Sequence, residues 1–191
     1  MSKVAQIFGV LESYRGSVSE STPAEPTPYA LLPERPGQQN ASCYAVLVQK
    51  MMEARQERTD GSVFTFVAIR SGDGVSHVVK SVAWELAHHT GDQILVTSLQ
   101  GVNTVQRQDL KDFRRRFGYV LVDCPAMNAS TDFLKLSPMS DSFVLVVKAG
   151  CTSRHEIEWA QKALAAQSVN LLGLVLNQRQ PVLPPFLSAI L

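Results

Sequence analysis

The stretch that most constrains the fold is 63–87. It reads Val-Phe-Thr-Phe-Val-Ala-Ile-Arg, then Ser-Gly-Asp-Gly-Val-Ser-His, then Val-Val-Lys-Ser-Val-Ala-Trp-Glu-Leu-Ala. A β-rich apolar run, a turn punctuated by glycines and apolar residues at helical spacing spell strand, tight loop and helix. Short buried strands are expected again at 93–98, 118–125, 142–148 and 170–176, with helices over 105–117 and 152–167 between them. Thr152 or Ser153 would cap the last helix, with Glu156 in its first turn. Strands apolar on both faces, alternating with helices, require a parallel sheet covered on both sides. The expected fold class is therefore α/β, a three-layer α/β/α sandwich with a mostly parallel sheet of about five or more strands.

In such a sheet, ligands bind at the carboxyl ends of the strands. That gathers 71–76, Thr97, Asp123 and Asn177 around one mouth. A glycine loop leading into a helix can cradle an anion on its backbone N–H groups, or it can simply turn the chain. For phosphate chemistry a lysine at the end of the loop neutralises the phosphates and a hydroxyl binds magnesium. Ser76 supplies the hydroxyl, but Val75 stands where the lysine belongs. Valine carries no charge and donates nothing from its side chain, so the strongest electrostatic element for phosphoryl transfer is missing.

The 191 residues are 45% hydrophobic, enough for one α/β domain with a core plus an appendage. A net charge of +1 gives no global field for nucleic acid. The three cysteines lack metal-type spacing, and the sequence shows no signal peptide and no apolar run of membrane-spanning length. The expectation is a reduced, cytoplasmic protein. Val4, Ile7, Phe8 and Leu11 predict an amphipathic helix over 1–15 that docks on its own domain, a partner or a membrane surface. Residues 16–40 carry five prolines and read as a linker, 41–180 as the domain, and 181–191 as a proline-rich tail. Tyr44, Leu47, Val48, Met51 and Met52 set a helical face in which the methionines read as core packing.

Several stretches together resemble the bacterial tyrosine kinases of capsule and exopolysaccharide biosynthesis, the CpsD/CapB type, within the MinD/ParA group of deviant-Walker P-loop NTPases. They are Ser-Gly-Asp-Gly-Val-Ser-His at 71–77, Tyr-Val-Leu-Val-Asp-Cys-Pro-Ala at 119–126, the strand and turn at 140–152, and Val-Asn-Leu-Leu-Gly-Leu-Val-Leu-Asn at 169–177. The resemblance implies a P-loop NTPase-like fold and, if nucleotide binds, ATP or ADP with magnesium. It assigns Arg70, Ser71, Gly72, Asp73, Gly74 and Ser76 to the phosphates, Asn177 to the base, and Ser76 with Asp123 to the metal. Asp123 would carry any remaining activity.

The same resemblance exposes losses. Besides Val75, Thr97 and Leu99 lie where the family has aspartates, and 42–48 retains none of the charges of the family's oligomerisation motif. The segment between Thr97 and Asp123 is short, and 181–191 contains no tyrosine where the family has a cluster. The expectation is a non-catalytic P-loop protein serving an exopolysaccharide system. Its partner would be a membrane-bound polysaccharide chain-length or export protein, or an active relative, reached at the inner membrane. The alternatives are a weak ATPase or kinase in which Arg70, ahead of Lys80, replaces the lysine, and a MinD/ParA-like positioning protein.

Other candidates take ordinary readings. Cys124 packs; His88 and His89 close a helix whose dipole favours them; Arg114, Arg115 and Arg116 form a solvated helix face.

Overall fold

The structure, a computed structural model, describes residues 7–10, 44–56, 60–98 and 107–178. Along the chain the elements are β1 (Ile7–Val10), α1 (Ala45–Gln56), β2 (Ser62–Ala68), α2 (Val75–Thr90), β3 (Ile94–Ser98), α3 (Arg107–Arg116), β4 (Tyr119–Asp123), α4 (Asp132–Leu136), β5 (Ser142–Lys148), α5 (Arg154–Ala165) and β6 (Leu171–Asn177). All seven residues of β2 are buried. A strand is covered this way only in the interior of a sheet with helices on both faces.

The six strands lie in the order β1-β3-β4-β2-β5-β6, and every pair is parallel. The period of two sorts β2 between two cores. Phe64 and Phe66 join Val48 and Met51 of α1 and Val78, Val82 and Leu86 of α2. Val63 and Val67 join Leu110 of α3, Phe133 and Leu136 of α4, and Ala160 and Leu164 of α5. Met51 is fully buried and Met52 packs beside it, as the helical face over 44–52 predicts.

The amino-terminal expectation needs correction. Ile7–Val10 is a strand on the open edge of β3, with Ile7 opposite Ile94 and Val10 opposite Thr97, and not part of a helix over 1–15. A short apolar run supports either period, and here an unpaired sheet edge offers it backbone partners. The rest of 1–15, the linker at 16–40 and the tail at 181–191 lie outside the described residues.

The basic triplet also departs from a solvated face. Arg114 turns inward, donating to the Met139 carbonyl and the Asp141 carboxylate at 2.9 Å each, while Asp141 accepts the Val63 N–H at 2.8 Å. This ties α3 to the start of β2, at the end of the sheet opposite the mouth. Arg115 pairs with Asp112, and Arg116 lies over the Phe117 ring.

Candidate functional site

The chain leaving β2 passes to α2 on the first core's face, whereas the chains leaving β4 and β5 pass to α4 and α5 on the other. Connections that part to opposite faces open a crevice at the carboxyl ends of the strands. The loop 69–74 borders it.

Two glycines shape that loop, Gly72 at φ 90° and Gly74 at φ 89°, both in the region that glycine alone adopts without strain. Gly74 is the N-cap of α2 and supplies no side-chain cap, so the positive end of the helix faces the mouth. A Cβ on Gly74 would stand 2.3 Å from Nδ2 of Asn177, which shows how closely the end of β6 approaches the loop. That amide donates to the Asp73 carbonyl at 2.8 Å, and Asn177 is buried. Asn177 is thus a latch between the last strand and the loop.

Asp73 is itself buried, and its carboxylate accepts the Arg70 N–H at 3.3 Å. Burial pushes its pKa up, opposed by that hydrogen bond and by the charges of Arg70 and Lys148. The first turn of α2 brings Ser76 to the end of β4, where its hydroxyl donates to Asp123 at 2.5 Å. A charge-assisted bond of this length commits the hydroxyl proton to the carboxylate. Burial also raises the Asp123 pKa, with the Ser76 bond and the Lys80 charge pulling the other way.

Arg70 is not a free strand-end cation. Its Nε and Nη2 donate to Glu156 Oε1 at 2.9 and 2.6 Å, and its Nη1 donates to the Cys151 carbonyl at 3.2 Å. Glu156 in turn closes the capping box of α5 with Ser153, the cap that the sequence proposes. The Ser153 amide and hydroxyl, with Arg70, hold its carboxyl down at about 2. Arg70 therefore fastens the loop to the start of α5.

Beside the Ser76–Asp123 pair is a narrow cleft lined by Ser76, Val79, Lys80, Val96, Thr97, Ser98 and Asp123. Lys80, ranked behind Arg70 as a replacement for the lysine, is the one of the two that lines this cleft. Lys80 follows Ser76 by four residues, so both lie on one helix face, over the cleft. Lys148, at the carboxyl end of β5, is a cation that the sequence reading missed. Its position at the end of a parallel strand was the available signal.

The arrangement therefore assembles the loop, Ser76, Asp123, Thr97 and Asn177 at one mouth as the sequence predicts, with Arg70 and Asn177 both engaged by the protein. The neighbouring nucleophile candidate is inert, because burial pushes the Cys124 thiol up to about 12. His88 and His89 bond through Nδ1 to the carbonyls of Trp84 and Glu85 at 2.9 and 2.8 Å, closing the helix end as expected. Among the described residues no group of three or more His, Cys, Asp or Glu could hold a metal, and no helix is long and apolar enough to cross a membrane.

A central parallel strand, a glycine loop opening a helix, and a carboxylate ending the adjacent strand define a P-loop NTPase-like domain. No protein-family model matches the chain. Over 62 residues, 32% of its length, it is 31% identical to tyrosine-protein kinase CpsD of Streptococcus agalactiae. It is 29% identical over the same length to that kinase from a serotype III strain. The match spans 27% of those relatives' length. Among solved structures, the VpsO kinase domain superposes with a TM-score of 0.62 at 16% identity, covering 73% of this chain and 94% of that one. The BceF tyrosine kinase domain gives 0.63 at 20% identity over 75% and 79% of the two chains. The kinase domain of the Escherichia coli tyrosine kinase ETK gives 0.57 at 16% identity over 72% and 75%. Over the matched 62 residues the chain is similar to the CpsD tyrosine kinases, and it shares its fold with the bacterial tyrosine kinase domains.

Proposed function

We propose that this chain is a non-catalytic P-loop domain that acts by docking, as a binding or regulatory component of a capsule or exopolysaccharide biosynthesis and export system. The observation that carries the reading is the engagement of the loop. Val75 opens α2 where a phosphate-neutralising lysine is required, and Arg70, the cation that leads into the loop, is held by Glu156 and Cys151. The Asn177 amide, which would contact a base, is bonded to Asp73 instead. Ser76 and Asp123 keep a metal-compatible pair, but Thr97 adds no charge to it and Lys80 lines the same cleft. These residues fit magnesium nucleotide poorly, and no transfer step is assigned to them.

Loss of the phosphate lysine leaves the sheet and helices intact as a docking surface. The polysaccharide system rests on the likeness to the CpsD kinases, and a protein partner is supported by a further structural neighbour described as the chimerical protein CapA2B2. The partner is a membrane-bound chain-length or export protein, or an active kinase relative, and the chain reaches the inner membrane through it. A second reading, weak nucleotide binding or turnover, draws on Lys80 near Asp123 and Lys148 near Asp73.

The test is phosphate release and autophosphorylation by the purified full chain with ATP and magnesium, beside Arg70→Ala and Lys80→Ala. The proposal expects rates at the protein-free background for all three. Turnover by the native chain that either substitution abolishes would overturn it.

A further inference from the structure

We infer that the segment 181–191 of this chain docks on the outer end of the second core's face, over Leu174 and Leu176 of β6. These leucines are 40% and 54% exposed, although their register partners Leu145 and Val147 on β5 are fully buried in the second core. Register partners share a face, so the second core's cover reaches Leu171 but leaves Leu174 and Leu176, toward the carboxyl end of β6, open.

The topology indicates what belongs there. The one step toward β1, from β2 to β3, carries α2 on the first face. Of the four steps toward β6, the short ones from β3 to β4, β4 to β5 and β5 to β6 carry α3, α4 and α5 on the second, whereas the long one from β1 to β2 carries α1 on the first. Right-handed crossovers account for this sorting in the short connections. A segment leaving β6 and continuing the same progression comes to lie beside α5, over Leu174 and Leu176. Gln178, at φ 55°, turns the chain as soon as β6 ends.

The sequence that follows suits this position. Residues 181–191 contain no charged side chain, and their large apolar residues recur in pairs every four positions: Val182 and Leu183, Phe186 and Leu187, Ile190 and Leu191. On a helix opening at Pro185, Phe186, Leu187, Ile190 and Leu191 would line up one apolar stripe, with Val182 and Leu183 in the extended approach to it. Three prolines without N–H groups make the segment a poor added strand on the free edge of β6 and suit it to covering the face instead.

The experiment is hydrogen exchange read by mass spectrometry on the full chain, comparing the native protein with a Phe186→Asp, Leu187→Asp double variant, with sedimentation at the same concentrations. The expected result is a monomer in which amides of 171–177 exchange at least tenfold faster in the variant, while those of 119–123 are unchanged. A reciprocal Leu176→Asp variant should deprotect 186–191. If Leu176→Asp fails to fold, the tail variant carries the test alone. Exchange of 171–177 within twofold in native and variant chains would overturn the inference. So would protection that rises with concentration alongside a dimer, which would assign the face to a second copy.

Discussion

Gly74→Ala isolates the joint on which the mouth depends. The new Cβ must occupy φ 89°, a left-handed conformation that costs about 1–2 kcal/mol for any residue with a side chain. It also stands 2.3 Å from Nδ2 of Asn177, so that amide must leave the Asp73 carbonyl it holds at 2.8 Å. Releasing a buried hydrogen-bond pair adds about 1–3 kcal/mol. The sum is roughly 2–5 kcal/mol, which for a chain of this size lowers Tm by about 5–15 °C. Asn177→Ala should cost about 1–3 kcal/mol, the hydrogen-bond part alone. Because it also removes the atom the Cβ meets, the double variant should be less destabilised than the sum of the singles by about 1–2 kcal/mol, as expected for residues in contact. Urea denaturation of the four chains closes the cycle. A Gly74→Ala penalty under about 0.5 kcal/mol, or strict additivity, would refute the latch.

Three further outcomes follow from the charges. Because the Asp123 pKa is raised by burial, its contribution to stability is complete at low pH and is lost as pH rises through the folded value. Asp123→Asn should therefore have a higher Tm than the native chain at pH 7, and scans toward pH 4 should show the gap closing. Glu156 has the opposite sign: its stabilisation is present above the ordinary carboxylate range and is lost as pH falls toward about 2. Glu156→Gln should flatten that acid limb in a melting series from pH 5 to pH 2. Cys124, with its thiol at about 12, should resist iodoacetamide in native protein and react only at the rate of global unfolding, whereas exposed Cys151 reacts at once; peptide mapping reads both.

Long-period features were legible in the sequence and close contacts were not. Five strands and the glycine loop announced themselves because both-faces-apolar runs and paired glycines are local signals. The convergence of Ser76 and Asp123 followed from strand-end logic alone, although the two are 47 positions apart. What failed was anything set by a neighbour outside the local window. Arg70 reads as a phosphate contact in the sequence because Glu156, 86 positions on, cannot be paired with it by periodicity. Asn177 was read as a ligand contact, and its bond to Asp73 appears only once β6 is placed beside the loop. Ile7–Val10 was read as helix because four apolar residues satisfy either period until an open strand edge is known.

The central claim is that the loop without its lysine leaves this mouth closed to magnesium nucleotide. Calorimetric titration of the full native chain and of Val75→Lys with ATP and ADP, with and without magnesium, tests it most directly. The account predicts no binding heat for the native chain at millimolar nucleotide and magnesium-dependent binding for Val75→Lys. Magnesium-dependent binding by the native chain that Ser76→Ala abolishes would contradict it.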